Sequence, residues 1–191
     1  FNADIDNDVY VDGVFQNENI GAIMHCAADI SVPESVNNPV KYYYNNTSKS
    51  IKLLEKAKKN GVNNFIFSCT AAVYGEPPED VAKSIPETHP CRPINAYGES
   101  KLMFETILKR YSEVNPNFKY ASLRYFNVAG NDIQNRVQDV HWKKKENIIP
   151  KIMSRIIYIF KSKFFSIRSV GECLSRSWTH ICIILKIKIG N

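Results

Sequence analysis

Long apolar runs are missing from this chain. No stretch in its 191 residues approaches the roughly 20 apolar residues of a membrane-spanning helix, so no such span is expected. The opening residues, FNADIDND, are acidic and lack the basic and apolar regions of a secretory leader, so no signal peptide is expected. An initiator methionine is also missing, which predicts a piece of a longer protein. The five cysteines, Cys26, Cys69, Cys91, Cys173 and Cys182, are an odd number without metal-ligand spacing. They are read as reduced thiols of a cytoplasmic protein with no metal site. Internal repeats and low-complexity segments are absent, and no glycine occurs between Gly130 and Gly171.

What is present divides unevenly. The net charge of +6 comes from the tail alone, because residues 1–130 hold thirteen Lys and Arg against fifteen Asp and Glu. Residues 131–191 hold twelve against four. A basic tail can signal nucleic acid. A patch needs a fold to present it, however, and the run IIPKIMSRIIYIFKSKFFSIRSV has no clean period, so no nucleic-acid partner is expected. The length suits a single core.

Up to residue 130 strand and helix signals alternate. GAIMHCAA (21–28), NFIFSCTAAVYG (64–75) and KYASLRYFNVAG (119–130) are short apolar runs of the kind that form buried parallel strands. Between them, 39–60 and 96–115 carry helical patterns, with Gly61 placed to cap the first and Pro116 just past the second. Five prolines in 76–95 mark a loop. This order predicts an α/β fold, a doubly wound parallel sheet with helices on both faces. ICIILKIKI, near the end, is a further strand candidate with a sticky edge.

Ligands of such sheets bind beyond the carboxyl ends of the strands. Those ends carry Ala27 and Ala28, Thr70, and Asn127. The helix at 96–115 adds Tyr97 and Lys101, four residues apart and so on one face. A cation beside a phenol lowers its pKa and makes it a general base near neutral pH. The alternative is a surface turn without chemistry, with Thr70 capping a turn, Asn127 closing a loop and the alanines packing.

HCAADISVPESVNNPVKYYYNNTSKSIKLLE, FIFSCTAAVYGEP, NAYGESKLMFE and LRYFNVAG together resemble the UDP-glucose 4-epimerase family of extended short-chain dehydrogenases/reductases, from about Ala3 to Gly130. The resemblance implies a partial Rossmann-like NAD-binding domain over 1–130 and a divergent remnant of a substrate-binding region over 131–191. It implies a reaction in which Tyr97 takes the proton of the sugar's 4′-hydroxyl, NAD transiently oxidises C4′, and hydrogen returns to the other face of the 4-keto sugar. Thr70 would share that hydroxyl. Lys101 would bond the nicotinamide ribose and, with the positive ring, hold the tyrosine pKa down. Asp4, Ile5, Cys26, Ala27, Ala28, Asn45, Ser68 and Tyr125 match cofactor-lining positions. Asn127, Asn147 and Ile148 match positions that touch the UDP-sugar. A homodimer through the helices at 39–60 and 96–115 is implied as well.

The departures are specific. The family's first strand and its G-x-x-G-x-x-G turn are not in this sequence, Cys26 replaces a Phe, and Ile30 stands where many members carry a Lys. Beyond Pro150 the match fades, with GECLSRSWTHI a distorted echo of the family pattern. The chain alone is therefore expected to bind NAD poorly and to be inactive. The rival readings are another NAD-dependent nucleotide-sugar enzyme, such as a dehydratase, and a non-catalytic remnant. Many dehydratases carry acidic residues where this chain has Ala71 and Ala72.

Overall fold

A computed structural model describes residues 3–82 and 84–126, and the backbone of Cys182–Leu185. The chain separates into two compact units, Phe1–Tyr125 with Thr179–Asn191, and Phe126–Trp178. Of the second unit only Phe126 is described.

Helix α1 spans Asp8–Asn17 and is capped by the Asn7 side chain, which accepts from the Tyr10 amide. Strand β1 follows at Ala22–His25. Helices α2 (Val32–Asn37) and α3 (Pro39–Tyr42) come next, both with proline in the first turn, where its missing N–H costs nothing. A π-type turn at Tyr43–Ser48 joins α3 to α4, Lys49–Lys59. Helix α4 stops at Gly61, whose φ of 71° is one that glycine adopts freely, while the Val62 amide returns to the Ala57 carbonyl. The helix expected over 39–60 is thus present but interrupted by a wider turn.

Strand β2 covers Asn64–Thr70 and ends earlier than expected. Thr70 instead caps a tight 3₁₀ turn, Ala71–Tyr74, by accepting from the Ala72 amide. A short α5 (Glu79–Ala82) interrupts the proline-rich loop. Helix α6 runs Ala96–Val114 and strand β3 runs Lys119–Tyr125. Strand β4, Cys182–Leu185, falls inside the candidate at the chain's end.

The sheet order is β3-β2-β1-β4, parallel except for β4, which runs antiparallel to β1. The register sets Ile23, Phe65 and Tyr120 in one row and His25, Phe67 and Ser122 in the next. These rows share a face. Phe65 and Phe67 pack with Val11 and Phe15 of α1, Leu53, Leu54 and Ala57 of α4, and Phe104 and Leu108 of α6. The fold is a partial Rossmann-like sheet. The described helices α1, α4 and α6 pack on this one face rather than on both as expected, while Ile66, Ala121 and Leu123 of the opposite face remain half-buried or exposed.

Ion pairs add a ladder between the N-terminal segment and α4. Lys49 meets Asp4 at 2.8 Å, Lys52 meets Asp6, and Lys56 meets Asp8 and Asp12 at 3.0 and 2.6 Å. The lysines recur at three- and four-residue steps and so line one side of the helix.

Candidate active site

Strands β2 and β3 end together, with Thr70 opposite Tyr125, while β1 stops earlier, at the level of Phe67. Helix α6 starts at the same level. Asn95 caps it, its side chain accepting from the Gly98 amide at 2.9 Å. Gly98 lets α6 lie directly on the 3₁₀ turn, since a Cβ there would stand 2.7 Å from the Ala72 carbonyl oxygen. That contact delivers Tyr97 and Lys101 to the end of β2.

Tyr97 is half-buried, with Thr70 as a polar neighbour. Lys101 is 3% exposed, and its Nζ donates to the Ser68 carbonyl oxygen at 2.9 Å. The ammonium lies 4.9 Å from the centre of the Phe67 ring. The structure thus gathers Ser68, Thr70, Tyr97, Lys101 and Tyr125 around one strand end.

The electrostatics differ from the expectation. Burial raises the Tyr97 phenol above its ordinary value, and the neighbouring Thr70 only partly offsets this. Burial also lowers Lys101, to about 8, against the opposing pull of Cys69 and Cys26. The i,i+4 spacing brings the two side-chain bases together, but the lysine bends to the strand carbonyl rather than to the phenol. Desolvation therefore sets the direction of the Tyr97 shift, with no lowering contribution from Lys101. Cys26, half-buried at the end of β1, is raised mainly by burial, and the Lys101 charge opposes the shift.

Other expected cofactor positions are committed within the protein. Asp4 bonds Lys49 at 2.8 Å and accepts from the Asp6 amide, and Ile5 is buried. Asn45 donates to Asp29 at 3.0 Å. Ala27 is buried and Ala28 half-buried, which leaves little side chain beyond β1. Asn127, Asn147 and Ile148 lie outside the described residues.

Sequence reasoning missed the network behind Tyr97. Ser100, fully buried, donates to the Tyr97 carbonyl at 2.8 Å and accepts from Asn46 at 3.2 Å. Thr47 donates to the Ser100 carbonyl at 2.9 Å, and Asn46 also exchanges bonds with both backbone groups of Asp29. The π-type turn thereby fixes the first turn of α6 and the segment beyond β1 together. Such turns recur at functional sites. Its only sequence signal was the polar pair Asn46-Thr47 on an otherwise apolar helix face.

A parallel α/β sheet with a phenol, a hydroxyl and a buried ammonium at its strand ends defines the class, a Rossmann-type protein built for chemistry at that edge. The chain belongs to the NAD dependent epimerase/dehydratase family, whose model matches residues 1–180. It is 42% identical over 154 residues to the UDP-glucose 4-epimerase of Streptococcus mutans serotype c, covering 80% of this chain and 45% of that protein. The UDP-Glc/GlcNAc 4-epimerase structure from Campylobacter jejuni superposes with a TM-score of 0.67 at 41% identity, over 86% of this chain and 47% of that one. A UDP-glucose 4-epimerase from Bifidobacterium longum, solved in complex with NAD+ and UDP, gives 0.64 at 36% identity, over 70% and 39%. The chain spans somewhat under half the length of the relatives it matches.

Proposed function

We propose that the protein to which this chain belongs interconverts the C4 epimers of a UDP-hexose, UDP-glucose and UDP-galactose, with NAD held in the same cleft. The observation that carries this reading is the placement of Tyr97 beside Thr70 at the end of β2, with the Lys101 ammonium fixed on the Ser68 carbonyl one turn behind it. The donor set fits the nicotinamide-ribose end of a dinucleotide, since an ammonium, a phenol and small residues meet there. Lys101 and Tyr97 would hold the ribose, and Ser68, Cys26, Ala27, Ala28, Asn45 and Tyr125 would border the cofactor. Asp4 and Ile5 would lie toward the adenine. When bound, the oxidised nicotinamide supplies a positive charge and an acceptor for the hydrogen at C4′.

Tyr97 then acts as the base. Burial alone holds its proton in place, so a nearby positive charge is required to release it. Thr70 accepts or donates in line with Tyr97 and orients the sugar's 4′-hydroxyl. Lys101, fixed on Ser68, keeps one ammonium at constant distance from the reacting phenol. Asn127, Asn147 and Ile148 complete the reading on the UDP side. Ala71 and Ala72 place no acid beside Thr70, which favours epimerisation over dehydration.

In the complete protein, Tyr97→Phe is expected to lower UDP-galactose turnover by about 10² or more, the scale of a lost general base. Turnover near that of the unmodified enzyme would sink the assignment.

The same reading includes a homodimer. A shallow groove of about 550 Å³ crosses the outer side of α6, lined by Thr47, Glu99, Leu102, Met103, Thr106 and Ile107. A second copy would lay its own α6 there, and sedimentation equilibrium reads the mass. No described helix is long and apolar enough to cross a membrane. The cytoplasm is the proposed compartment, in keeping with the free thiols of Cys26, Cys69 and Cys91.

A further inference from the structure

We propose that Tyr42 is a positioning residue for Tyr97: its buried ring is the wall that sets the plane of the Tyr97 phenol at the end of β2. The inference rests on Tyr97 being the reacting phenol.

Tyr42 is the last residue of α3, immediately before the π-type turn, and it is 0% exposed. Its ring meets that of Tyr97 edge to face, with centroids 6.4 Å apart and planes at 84°. This geometry sets the positive edge of one ring against the negative face of the other, a favourable contact beyond the area it buries. Thr70 is the polar neighbour of the Tyr97 phenol, and Tyr42 meets it along the ring. An edge-to-face contact against a buried ring limits the roll of the phenol about its own axis, which a polar neighbour at the hydroxyl does not.

Tyr42 is itself tethered. Its hydroxyl donates to Glu34 Oε2 at 3.1 Å, and Glu34 Oε1 accepts from Lys41 at 2.6 Å. The Lys41 ammonium also sits 3.7 Å from Asp29, beside the segment that follows β1. The wall is thus pinned at its polar end from α2. The groups that face the two rings are Glu34 on α2, Asp29 after β1, Lys41 on α3, and Cys69 and Thr70 on β2.

Removing the wall admits water to Tyr97, which favours the phenolate. The test labels the 191-residue chain with 3-fluorotyrosine, whose ring fluorine lowers the phenol into a range where the protein is stable. The ¹⁹F line of Tyr97 is assigned among the ten tyrosines by Tyr97→Phe. In Tyr42→Leu the Tyr97 line should move and its titration midpoint should fall by about half a unit or more, the direction of regained solvation. In Tyr42→Phe, which keeps the ring, line and midpoint should stay close to those of the unmodified chain. Because Tyr42 is fully buried, Glu34→Gln serves as a second variant. It loosens the tether without changing core volume and should move the Tyr97 line in the same direction by less. An unmoved Tyr97 line and midpoint in a folded Tyr42→Leu chain overturns the proposal. Should that chain not fold, an unmoved line in Glu34→Gln overturns it. A shifted line combined with full turnover in Tyr97→Phe would instead retain the positioning role and remove Tyr97 from the chemistry.

Discussion

Replacing Gly75 with alanine will cost the protein about 2–5 kcal/mol, the sum of a strained backbone and an unavoidable collision. Gly75 has φ 67° and ψ −129°, a conformation that side chains resist. A Cβ there would stand 2.0 Å from the Arg92 carbonyl oxygen and 3.5 Å from Ile94 Cγ2. The first contact is with backbone, so no rotamer change relieves it. Arg92–Ile94 lead directly into Asn95, the cap of α6, so the displaced segment is the one that seats Tyr97 against Thr70. The consequence is both a lower unfolding midpoint and displacement of Tyr97 from its place beside Thr70. Gly61→Ala is the matched control. Gly61 also has positive φ, 71°, but nothing lies within 4 Å of its added Cβ, so only the backbone cost of about 1 kcal/mol applies. Denaturant titration of the two variants separates the terms. Equal losses would mean that the approach of Arg92 to Gly75 is not rigid.

Much of the strand-end geometry was visible in the sequence because it rests on local chemistry. Short apolar runs punctuated by small residues marked β1, β2 and β3, and Gly61 marked the end of α4. Helix α1 was not visible. Its ten residues include Gly13 and three valines, and only Val11 and Phe15 are buried, which is too thin a stripe to show a helical period. The π-type turn was hidden for a different reason. Tyr42, Thr47, Ile51, Leu54 and Ala57 fit an ordinary helical stripe, and the extra residue is held by bonds to Asp29 and Ser100, distant in sequence. The Tyr97–Lys101 spacing correctly placed both side chains at one strand end. It did not show where the ammonium would point, because the Ser68 carbonyl that captures it belongs to β2. Arg124 illustrates the same limit. It pairs with both carboxylate oxygens of Glu105 on α6 and donates to the Tyr74 hydroxyl and the Glu87 carbonyl, tying β3 to three other segments that no local pattern connects.

His25 carries the second large effect, a loss of stability in mild acid. Its ring is 1% exposed among Phe65, Phe67 and Phe104, with the Phe104 ring edge-on at 5.9 Å. Ser50 donates its proton to the Asn46 carbonyl at 2.7 Å, so the 2.7 Å contact between Ser50 Oγ and His25 Nε2 needs the proton on Nε2. Nδ1 is then unprotonated and has no hydrogen-bond partner among the described residues. A second proton would charge the ring inside an aromatic box, near the Lys101 ammonium. Burial, assisted by Lys101, accordingly lowers the folded pKa from 6.5 to about 3. The folded state therefore refuses a proton that the unfolded chain accepts. Stability contributed by this site is fully present above pH 6.5 and declines as pH falls from there toward 3. The slope approaches about 1.4 kcal/mol per pH unit, so roughly 2 kcal/mol disappears between pH 6.5 and 4.5. His25→Phe fits the same box and cannot titrate. It should be about 1–2 kcal/mol less stable at neutral pH, because Ser50 loses a donor, yet should lack this component of the acid decline. Carboxylates such as Asp6, lowered by its bond with Lys52, weaken in acid in both proteins and cancel in the comparison. Urea unfolding of the pair from pH 7.5 to 4.5 measures the difference directly. Converging curves identify the neutral, buried His25 as the acid-labile point of the core. Parallel curves would mean that the imidazole finds water or a partner when protonated, and that the aromatic box opens without unfolding.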